Sequence, residues 1–365
     1  MRILLVGPNH PGGSIPPYLD VLQAGLAAAG AHVERVGSDG PPYDPERGGF
    51  RPTSEIVAAA RALLSQVDLG AFDVVSLHFG NLEVEQLLPV LWSGARRPPV
   101  VYHVHSLAWT LFDRHCPDPR LRAAVAQAAA SMDGYVFFGG HAARTLSRPP
   151  YVPAATCFLP TTIPPCTPAS PRPRGDLPRL ASLYGYPAPW KDAARLVDAL
   201  ARLRHPVRFH LAGPFWDDPA QVGAVLPVGV SRHGVAELTV TPAYLDAPAR
   251  ASLVARTSVA VFPYRPAATF QGSGAIADYL AHGVPVVAAD VANMAELVAD
   301  AGVIVPPGDP AALAAALDRF LGDAGHRQRL ADAAAARAGL FRRDTHTAAC
   351  LDLYERVLTR RKVVA

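Results

Sequence analysis

Cysteine and net charge are both scarce in this sequence, and each scarcity argues against a class of protein. The 365 residues include four cysteines, none of them paired in a CxxC motif. Because disulfide frameworks are dense in cysteine and structural zinc sites commonly use CxxC pairs, four scattered cysteines favour reduced thiols, a cytoplasmic location and no metal site. Lysine and arginine number 34 against 31 acidic residues, a formal net charge of +3. A nucleic-acid surface is strongly basic, so nucleic acid is not an expected partner.

Long hydrophobic runs are also missing. No stretch has the uninterrupted apolar length that a membrane-spanning helix requires. The apolar run at residues 3–6 is too short for the core of a signal peptide, and it stops at Gly7. We expect this run to be a buried strand and the chain to have no integral membrane segment.

Apolar residues are abundant and fall into alternating strand-like and helix-like segments. Half of the residues are hydrophobic (50%) and 18% are charged, and a length of 365 residues favours two domains. Apolar runs of strand length alternating with segments of helical spacing indicate parallel sheets covered by helices. The expected strands are 3–6, 32–36, 72–78, 99–105 and 133–138 in the first half and 180–183, 208–212, 258–262 and 284–288 in the second, with helices at 192–203 and 275–282.

A proline-rich segment separates the two halves. Residues 160–178 cannot donate a regular ladder of hydrogen bonds, which is typical of an extended linker. We place the boundary after residue 168, so the expected domains are 1–168 and 169–344. Residues 345–365 are a candidate helix that packs back on the first domain.

Glycine-rich loops after the expected strands are the first places to search for a ligand, because doubly wound sheets bind ligands outside the carboxyl ends of their strands. Gly12 and Gly13 follow the first strand and precede a helix whose N–H groups could bind an anion. Gly272, Ser273 and Gly274 open a later helix and could hold a diphosphate in the same way. The structural alternatives are a tight strand-to-helix turn and a capped helix start.

Lys191 lies in the loop after the first strand of the second half. An ammonium group at this place could neutralise a leaving diphosphate while negative charge develops on it. The alternative is a solvated lysine in a first helical turn, although the helix dipole disfavours a cation there.

Two histidines lie at the end of an expected strand of the first half. His103 and His105 are two residues apart, so they share one face of that strand. The carboxyl end of a strand is where a polar catalytic group belongs. Zinc would need more ligands than His78 could add, which again predicts no metal site. His103 fits a hydrogen-bonded core histidine better than His105 does.

Three segments of the second half, residues 274–288, 291–298 and 301–309, together resemble the donor-binding region of GT-B glycosyltransferases, in particular the retaining family 4 type (glycosyl transferases group 1). The resemblance covers nearly the whole chain and is strongest in the second half. It implies an α/β fold of the GT-B type, with two Rossmann-like doubly wound parallel-sheet domains facing across a cleft that binds a nucleotide-sugar. It also implies transfer with retained anomeric configuration and without a catalytic metal.

The resemblance also implies roles for single residues. Gly12 and Gly13 face the donor diphosphate. His105 matches the histidine near the sugar, and Lys191 matches the lysine of an arginine–lysine pair. His105 and Lys191 are therefore the expected catalytic residues, and Lys191 also contacts the diphosphate with Gly272, Ser273 and Gly274.

The chain departs from the family pattern at three positions. Tyr186 stands where the arginine of the pair is usual, Phe270 stands where the first glutamate of the E-x7-E pattern is usual, and Asp278 replaces the second. Arg265 is our candidate substitute in the diphosphate site. The nucleoside is assigned to Gly213, Pro214 and Asp278.

These observations predict a glycosyltransferase of the hexosyltransferase type that moves a sugar from a UDP- or GDP-sugar to a small-molecule acceptor. The nucleotide-sugar is a co-substrate, and no other cofactor is expected. Tyr43, Trp109 and Phe112 are candidates for the acceptor pocket, with ordinary surface loops as the alternative. The sequence leaves the acceptor and the oligomeric state open.

Three alternative functions stay open. An NAD-dependent oxidoreductase is suggested by Gly272-x-Gly274-x-x-Ala277 and by Asp290 after the next strand, although the dinucleotide turn is usually tighter. A nucleotide-sugar epimerase of the same fold and a non-catalytic nucleotide-sugar-binding subunit are the other two.

Overall fold

The computed structural model divides the chain into two compact units. The first unit comprises Met1–Phe158, Ala268–Gln271 and Arg343–Ala365, and the second comprises Leu159–Ala267 and Gly272–Arg342. The structure describes residues 1–9, 14–40, 43–44, 49–80, 83–92, 97–107, 118–146, 149, 152–163, 179–185, 189–214, 226–268 and 270–364. Side chains are described for these residues except 43, 44, 49, 50, 179, 189 and 362–364.

The strands lie mostly where the sequence has short apolar runs. Those of the first unit are β1 (Arg2–Val6), β2 (His32–Val36), β3 (Tyr43–Asp44), β4 (Gly49–Phe50), β5 (Val74–Phe79), β6 (Val100–Val104), β7 (Gly134–Phe138) and β8 (Ala154–Cys157). Those of the second unit are β9 (Arg179–Tyr184), β10 (Val207–Ala212), β11 (Gly229–His233), β12 (Ala236–Thr241), β13 (Val259–Phe262), β14 (Val286–Ala289) and β15 (Gly302–Val305). Every residue of β5, β6 and β7 is buried, as expected for strands covered on both faces.

The helices connect the strands, and several begin with proline in the first turn or with an aspartate cap. They are α1 (Ile15–Ala28), α2 (Thr53–Ser65), α3 (Leu88–Leu91), α4 (Pro119–Ala129), α5 (Gly140–Thr145), α6 (Ala193–Leu200), α7 (Ala247–Arg256), α8 (Gly274–Ala281), α9 (Met294–Val298), α10 (Pro310–Gly322), α11 (Ala324–Arg337) and α12 (Arg343–Val364). Asp118, Asp246 and Asp309 accept hydrogen bonds from the N–H groups that open α4, α7 and α10.

The main sheet of the first unit has the strand order β2-β1-β5-β6-β7-β8, and all its neighbouring strands are parallel. The chain first adds β2 on one side of β1 and later adds β5 on the other side. The order reverses between β1 and β5, and a ligand of such a sheet binds outside the carboxyl ends near this switch point. The pair β3 and β4 forms a separate antiparallel ladder.

The sheet of the second unit has the order β11-β12-β10-β9-β13-β14-β15. Its neighbours are parallel except for β11, which runs antiparallel to β12 at the edge. The order reverses between β9 and β13, so the loops that follow these two strands lie at the switch point. Both units therefore have the doubly wound, Rossmann-like topology that the alternation of segments predicts.

The predicted strands and helices of the two sheets are found with shifts of one to three residues at their ends. His105 is the clearest case, because β6 ends at Val104 and His105 is the first residue after it. The short strand β15 was missed, and so were β8, β11 and β12. Their burial alternates or is partial, as is typical of strands at or near a sheet edge, so they lack a continuous apolar run.

The boundary expected after residue 168 lies earlier, between Phe158 and Leu159. The backbone N–H of Thr161 donates to the carbonyl of Phe341, and its hydroxyl donates to Asp278, both in the second unit. The proline content predicted the extended segment, but it could not predict which unit the first residues of this segment join. This is decided by the hydrogen bonds of Thr161.

The helix α12 belongs to the first unit, where it packs against α1, β7 and β8. It begins at Arg343, and its buried residues include His346, Cys350 and Tyr354. Among the helices that the structure describes, none combines the length and the hydrophobicity needed to cross a bilayer.

Candidate functional site

The loop after β9 folds Lys191 back toward the end of that strand. Gly185 follows β9 with a φ of +105°, which glycine adopts readily. A Cβ at this position would lie 2.8 Å from Nζ of Lys191, so the lysine side chain would have to move aside for a larger residue. Burial lowers the pKa of Lys191 to about 7. In the described part of the chain no carboxylate forms an ion pair with this lysine, which leaves its charge for a ligand.

Tyr264 joins Lys191 to the loop that opens α8. Nζ of Lys191 lies 5.7 Å from the centre of the Tyr264 ring, within the range of a cation–π contact. Burial raises the pKa of the same tyrosine, and the Ser273 side chain lies near enough to its hydroxyl to oppose that rise. The backbone N–H of Arg265 donates to the carbonyl of Trp190 over 2.9 Å, which holds the two loops together. The structure thus brings Lys191 and Ser273 to one side chain.

The start of α8 is shaped by small residues. Ser273 precedes the helix in an extended conformation, and its hydroxyl makes no capping bond to the described N–H groups of α8. A Cβ on Gly272 would lie 2.2 Å from Oδ1 of Asn293, so the backbone passes too close to that amide for any side chain. A Cβ on Gly274 would meet only Leu159, at an ordinary 3.7 Å. The helix therefore begins with N–H groups that its own cap residue does not satisfy.

This arrangement suits an anion. An ammonium group without an acidic partner and the positive end of a helix lie in the two loops at the switch point of the sheet. Because both loops follow neighbouring strands at their carboxyl ends, the site lies where doubly wound sheets bind nucleotides.

His105 has a different environment in the first unit. It is half-buried, and its ring centre lies 5.0 Å from that of Tyr18 and 5.6 Å from that of His78. Burial lowers the pKa of His105 to about 3, so the imidazole is neutral near pH 7. As the two-residue spacing predicts, His103 lies in the same cluster. His103 and His78 are fully buried, and burial lowers the pKa of each well below its usual range.

A protein-family model matches part of the second unit. The model of the family Glycosyl transferases group 1 matches residues 180–323. Apart from Ala268–Gln271, the matched stretch belongs to the second unit. The match confirms the predicted enzyme class, a glycosyltransferase. No curated protein matches the sequence.

Solved structures of similar fold cover almost the whole chain. Sucrose-phosphate synthase from Thermosynechococcus elongatus has a TM-score of 0.73 and 18% identity over 98% of this chain and 99% of its own. HepE from Anabaena, in complex with UDP-glucose, has a TM-score of 0.68 and 16% identity over 96% and 99%. A glycosyltransferase from Rickettsia africae has a TM-score of 0.68 and 15% identity over 98% of both. At such identities the likeness shows the fold, and it confirms the predicted GT-B fold.

Asp278, expected to bind the nucleoside, has another use within the glycosyl transferase domain. Its carboxylate accepts hydrogen bonds from the Thr161 hydroxyl at 2.7 Å and from the backbone N–H of Thr162 at 2.6 Å, and it also accepts one from the Tyr184 hydroxyl. Asp278 is buried. Asp278 therefore anchors residues 161 and 162 on α8, and its assignment to nucleoside binding stays a prediction. Sequence reasoning could not foresee this, because the partners lie more than 90 residues away.

The other predicted residues of this domain lie around the same sheet edge. Arg265 is exposed and follows β13, beside the Lys191 loop. Gly213 and Pro214 follow β10. A Cβ on Gly213 would lie 2.0 Å from the carbonyl oxygen of Gly185, so close backbone packing already requires glycine at position 213. This packing neither needs nor excludes a nucleoside there.

Several predicted residues lie outside the described part of the chain. Gly12, Gly13, Trp109 and Phe112 are among them. The backbone of Tyr43 is described in β3, but its side chain is not. Their roles remain predictions.

The structure also adds residues that sequence reasoning missed. Tyr264 had no motif to mark it, and Tyr18, His346 and Tyr354 meet the histidine cluster from α1 and α12.

Glu85 is fully buried after β5. One of its oxygens accepts the N–H of Ser38 at 2.7 Å, and the other has no partner among the described residues. Burial raises the pKa of Glu85 to about 7. A carboxyl group within an apolar stretch was the available signal.

Proposed function

We propose that the protein transfers a sugar from a nucleotide-sugar donor to a small-molecule acceptor, with retained anomeric configuration and without a catalytic metal or further cofactor. One observation carries the proposal. Lys191 and Ser273 meet at Tyr264, at the switch point of the domain that matches glycosyl transferases group 1. Retention rests on the resemblance to the family 4 type alone.

The donor diphosphate is assigned to the loops after β9 and β13. Nζ of Lys191 and the N–H groups at the start of α8 supply positive charge, and the hydroxyl of Ser273 can donate a hydrogen bond. When the bond between sugar and diphosphate breaks, negative charge grows on the diphosphate. A nearby ammonium group stabilises that charge most in the transition state. Arg265 is exposed, and its backbone is bonded to Trp190, the residue before Lys191, so its guanidinium group can add a second cation.

The donor we propose first is a UDP-sugar. HepE has been solved with UDP, with UDP-glucose and with UDP and glucose, and its fold covers almost this whole chain. The nucleoside is assigned to the loop at Gly213 and Pro214, which follows the strand next to β9. A GDP-sugar is the alternative that the experiment below distinguishes.

The first unit is proposed to supply His105 and the acceptor site. His105 is neutral and partly exposed at the carboxyl edge of its sheet, so it suits a hydrogen bond to a sugar hydroxyl rather than an ionic contact. Gly12 and Gly13 are proposed to face the diphosphate, and Tyr43, Trp109 and Phe112 to line the acceptor pocket.

Thermal unfolding with UDP-, GDP- and ADP-sugars tests the donor assignment. A ligand that binds only the folded protein stabilises it by about 2.7 kcal/mol at a concentration of 100 Kd, so the correct donor raises Tm most. NADH serves as the rival ligand. A rise of Tm with NADH and none with any nucleotide-sugar would replace the proposal with an oxidoreductase.

Product analysis with the best donor then separates the remaining alternatives. A sugar attached to an added acceptor supports transfer, whereas an isomerised donor supports an epimerase. Donor binding without any turnover across a panel of acceptors supports a binding subunit.

A further inference from the structure

A continuous chain of hydrogen bonds runs through the core of the first unit and ends at His105. It consists of seven hydrogen bonds. Six of them join two side chains, and one joins a side chain to a backbone carbonyl. All its side chains except that of His105 are buried. We call this chain the relay; in order, its members are the carbonyl of Phe158 and the side chains of His346, Tyr18, His103, Tyr354, Ser76, His78 and His105.

The first link sets the direction of the relay. The carbonyl oxygen of Phe158 can only accept, so Nδ1 of His346, 2.9 Å away, carries a proton and donates it. In the neutral imidazole Nε2 is then an acceptor. The hydroxyl of Tyr18 lies 2.8 Å from this Nε2 and donates to it.

The middle links follow from the first, because each hydroxyl has one proton. Tyr18 has used its proton, so its oxygen accepts from Nδ1 of His103 at 2.8 Å. Nε2 of His103 then accepts from the hydroxyl of Tyr354 at 2.9 Å. The oxygen of Tyr354 in turn accepts from the hydroxyl of Ser76 at 2.8 Å. With His346 neutral, each step leaves the next atom one possible role.

The last two links reach His105. The oxygen of Ser76 accepts from Nε2 of His78 at 2.8 Å, which makes Nδ1 of His78 an acceptor. Nε2 of His105 lies 3.3 Å from that Nδ1 and donates to it. His105 therefore carries its proton on Nε2, and its Nδ1 keeps a lone pair.

We propose that Tyr18, Ser76, His78, His103, His346 and Tyr354 are positioning residues that hold His105 as the neutral tautomer protonated on Nε2, so that Nδ1 accepts a hydrogen bond from a hydroxyl group of the sugar or acceptor. The ligand class rests on the proposed function, whereas the tautomer does not. Burial of the relay supports the proposal, because reversing one link would leave a buried donor facing a donor, and unsatisfied buried polar groups are costly. The lowered pKa values of His78, His103 and His105 agree with neutral rings.

A metal ion is the other occupant that this cluster could suggest. Donor atoms of His103, His346 and Cys350 lie within 4.8 Å of one another. However, the hydroxyl of Tyr18 lies 2.8 Å from Nδ1 of His103 and 2.8 Å from Nε2 of His346, so it already bridges the two rings. The thiols are more distant, with Cys157 and Cys350 at 3.4 and 3.5 Å from His346. The geometry favours the hydroxyl-linked relay over coordination.

The test is the tautomer of His105 in the ligand-free protein. Protein labelled with 15N-histidine is studied by long-range proton–nitrogen NMR, and the His105 signals are assigned with His105→Gln. We expect a protonated Nε2 and an unprotonated Nδ1 in the wild type. In Tyr354→Phe the hydroxyl of Ser76 is free to donate to His78, so His105 should show both tautomers or the reverse one. Tyr135→Phe is the matched control, because it also removes a buried hydroxyl from this unit but lies outside the relay.

The enzyme assay is the second measurement. Loss of one neutral hydrogen bond to the substrate should lower kcat/KM by about three- to tenfold in Tyr354→Phe and leave Tyr135→Phe near the wild type. If Tyr354→Phe does not fold, Tyr18→Phe breaks the relay at its other end. A wild-type His105 protonated on Nδ1, an unchanged tautomer in both folded relay variants, or a stoichiometric metal bound by the purified protein would overturn the proposal. The NMR result stands whether or not any nucleotide-sugar binds, so failure of the proposed function is recognised separately.

Discussion

The two units have similar sheets but place their polar residues in opposite ways. In the second unit Lys191 comes from a loop beyond the carboxyl end of β9, where it lacks an acidic partner among the described residues. In the first unit the side chains of the relay other than His105 lie inside the core, and their hydrogen bonds are made with one another. A charge that must meet a diphosphate has to remain available to a ligand. A group that only orients a neighbour is best buried, because burial fixes its hydrogen bonds.

Removing the charge of Lys191 should have the largest effect. We expect Lys191→Ala to lower kcat roughly 10²- to 10³-fold, with a smaller change in donor affinity, because the charge of the leaving group grows in the transition state. Steady-state kinetics and donor titration measure the two separately. Arg195→Ala removes an exposed cation of the nearby α6 and should change neither. An unchanged kcat in Lys191→Ala would show that the charge of Lys191 plays no part in catalysis, and the two units would then not differ in this respect.

The buried carboxyl of Glu85 should make the stability of the protein depend on pH. Its pKa is about 7 in the folded protein against 4.5 for the free side chain. Between these values the folded state keeps a proton that the unfolded state has lost, so the free energy of unfolding falls as pH rises through this window. The loss is of the order of a few kcal/mol, at 1.36 kcal/mol per pKa unit.

Urea unfolding at pH 5 and pH 8 measures this dependence. We expect Glu85→Gln to lose most of the difference, because its amide has no proton to release and its oxygen can still accept the N–H of Ser38. Glu355→Gln, which changes an exposed glutamate of α12, should keep the wild-type difference. If the free energy of unfolding changes equally between pH 5 and pH 8 in the wild type and in Glu85→Gln, the core of the first unit is more hydrated than its burial indicates.

The smallest of the three effects concerns the backbone of the loop that we propose holds the diphosphate. Gly272→Ala places a Cβ against Asn293, and overpacking of this kind costs about 1–3 kcal/mol and should displace the N–H groups ahead of α8. We expect weaker binding of the nucleoside diphosphate by calorimetry and a lower Tm. Gly274→Ala, two residues away, meets only an ordinary contact and should bind normally. If both variants bind alike, the loop does not hold the ligand through its backbone.

Much of the fold could be predicted because its signals are local. The helix expected after Gly12 and Gly13 is α1, and its Leu19, Leu22 and Leu26 are buried. The continuous apolar runs predicted the central strands, whereas the edge strand β11 and its neighbour β12 were missed because more and less buried residues alternate along them. Gly272, Ser273 and Lys191 could be selected because a glycine-rich loop or a lysine after a strand is visible in the sequence.

The sequence by itself determined the two doubly wound units and the kinds of residue in the loops after their strands, since periodicity and composition act over a few residues. Only the tertiary structure decided that Tyr264 links Lys191 to Ser273, that Asp278 anchors Thr161 and Thr162, and that Tyr18 joins His103 to His346. The last contact spans 328 positions of the chain. Contacts at such separations depend on how buried surfaces pack and on which polar atoms must pair there, and no local pattern records either.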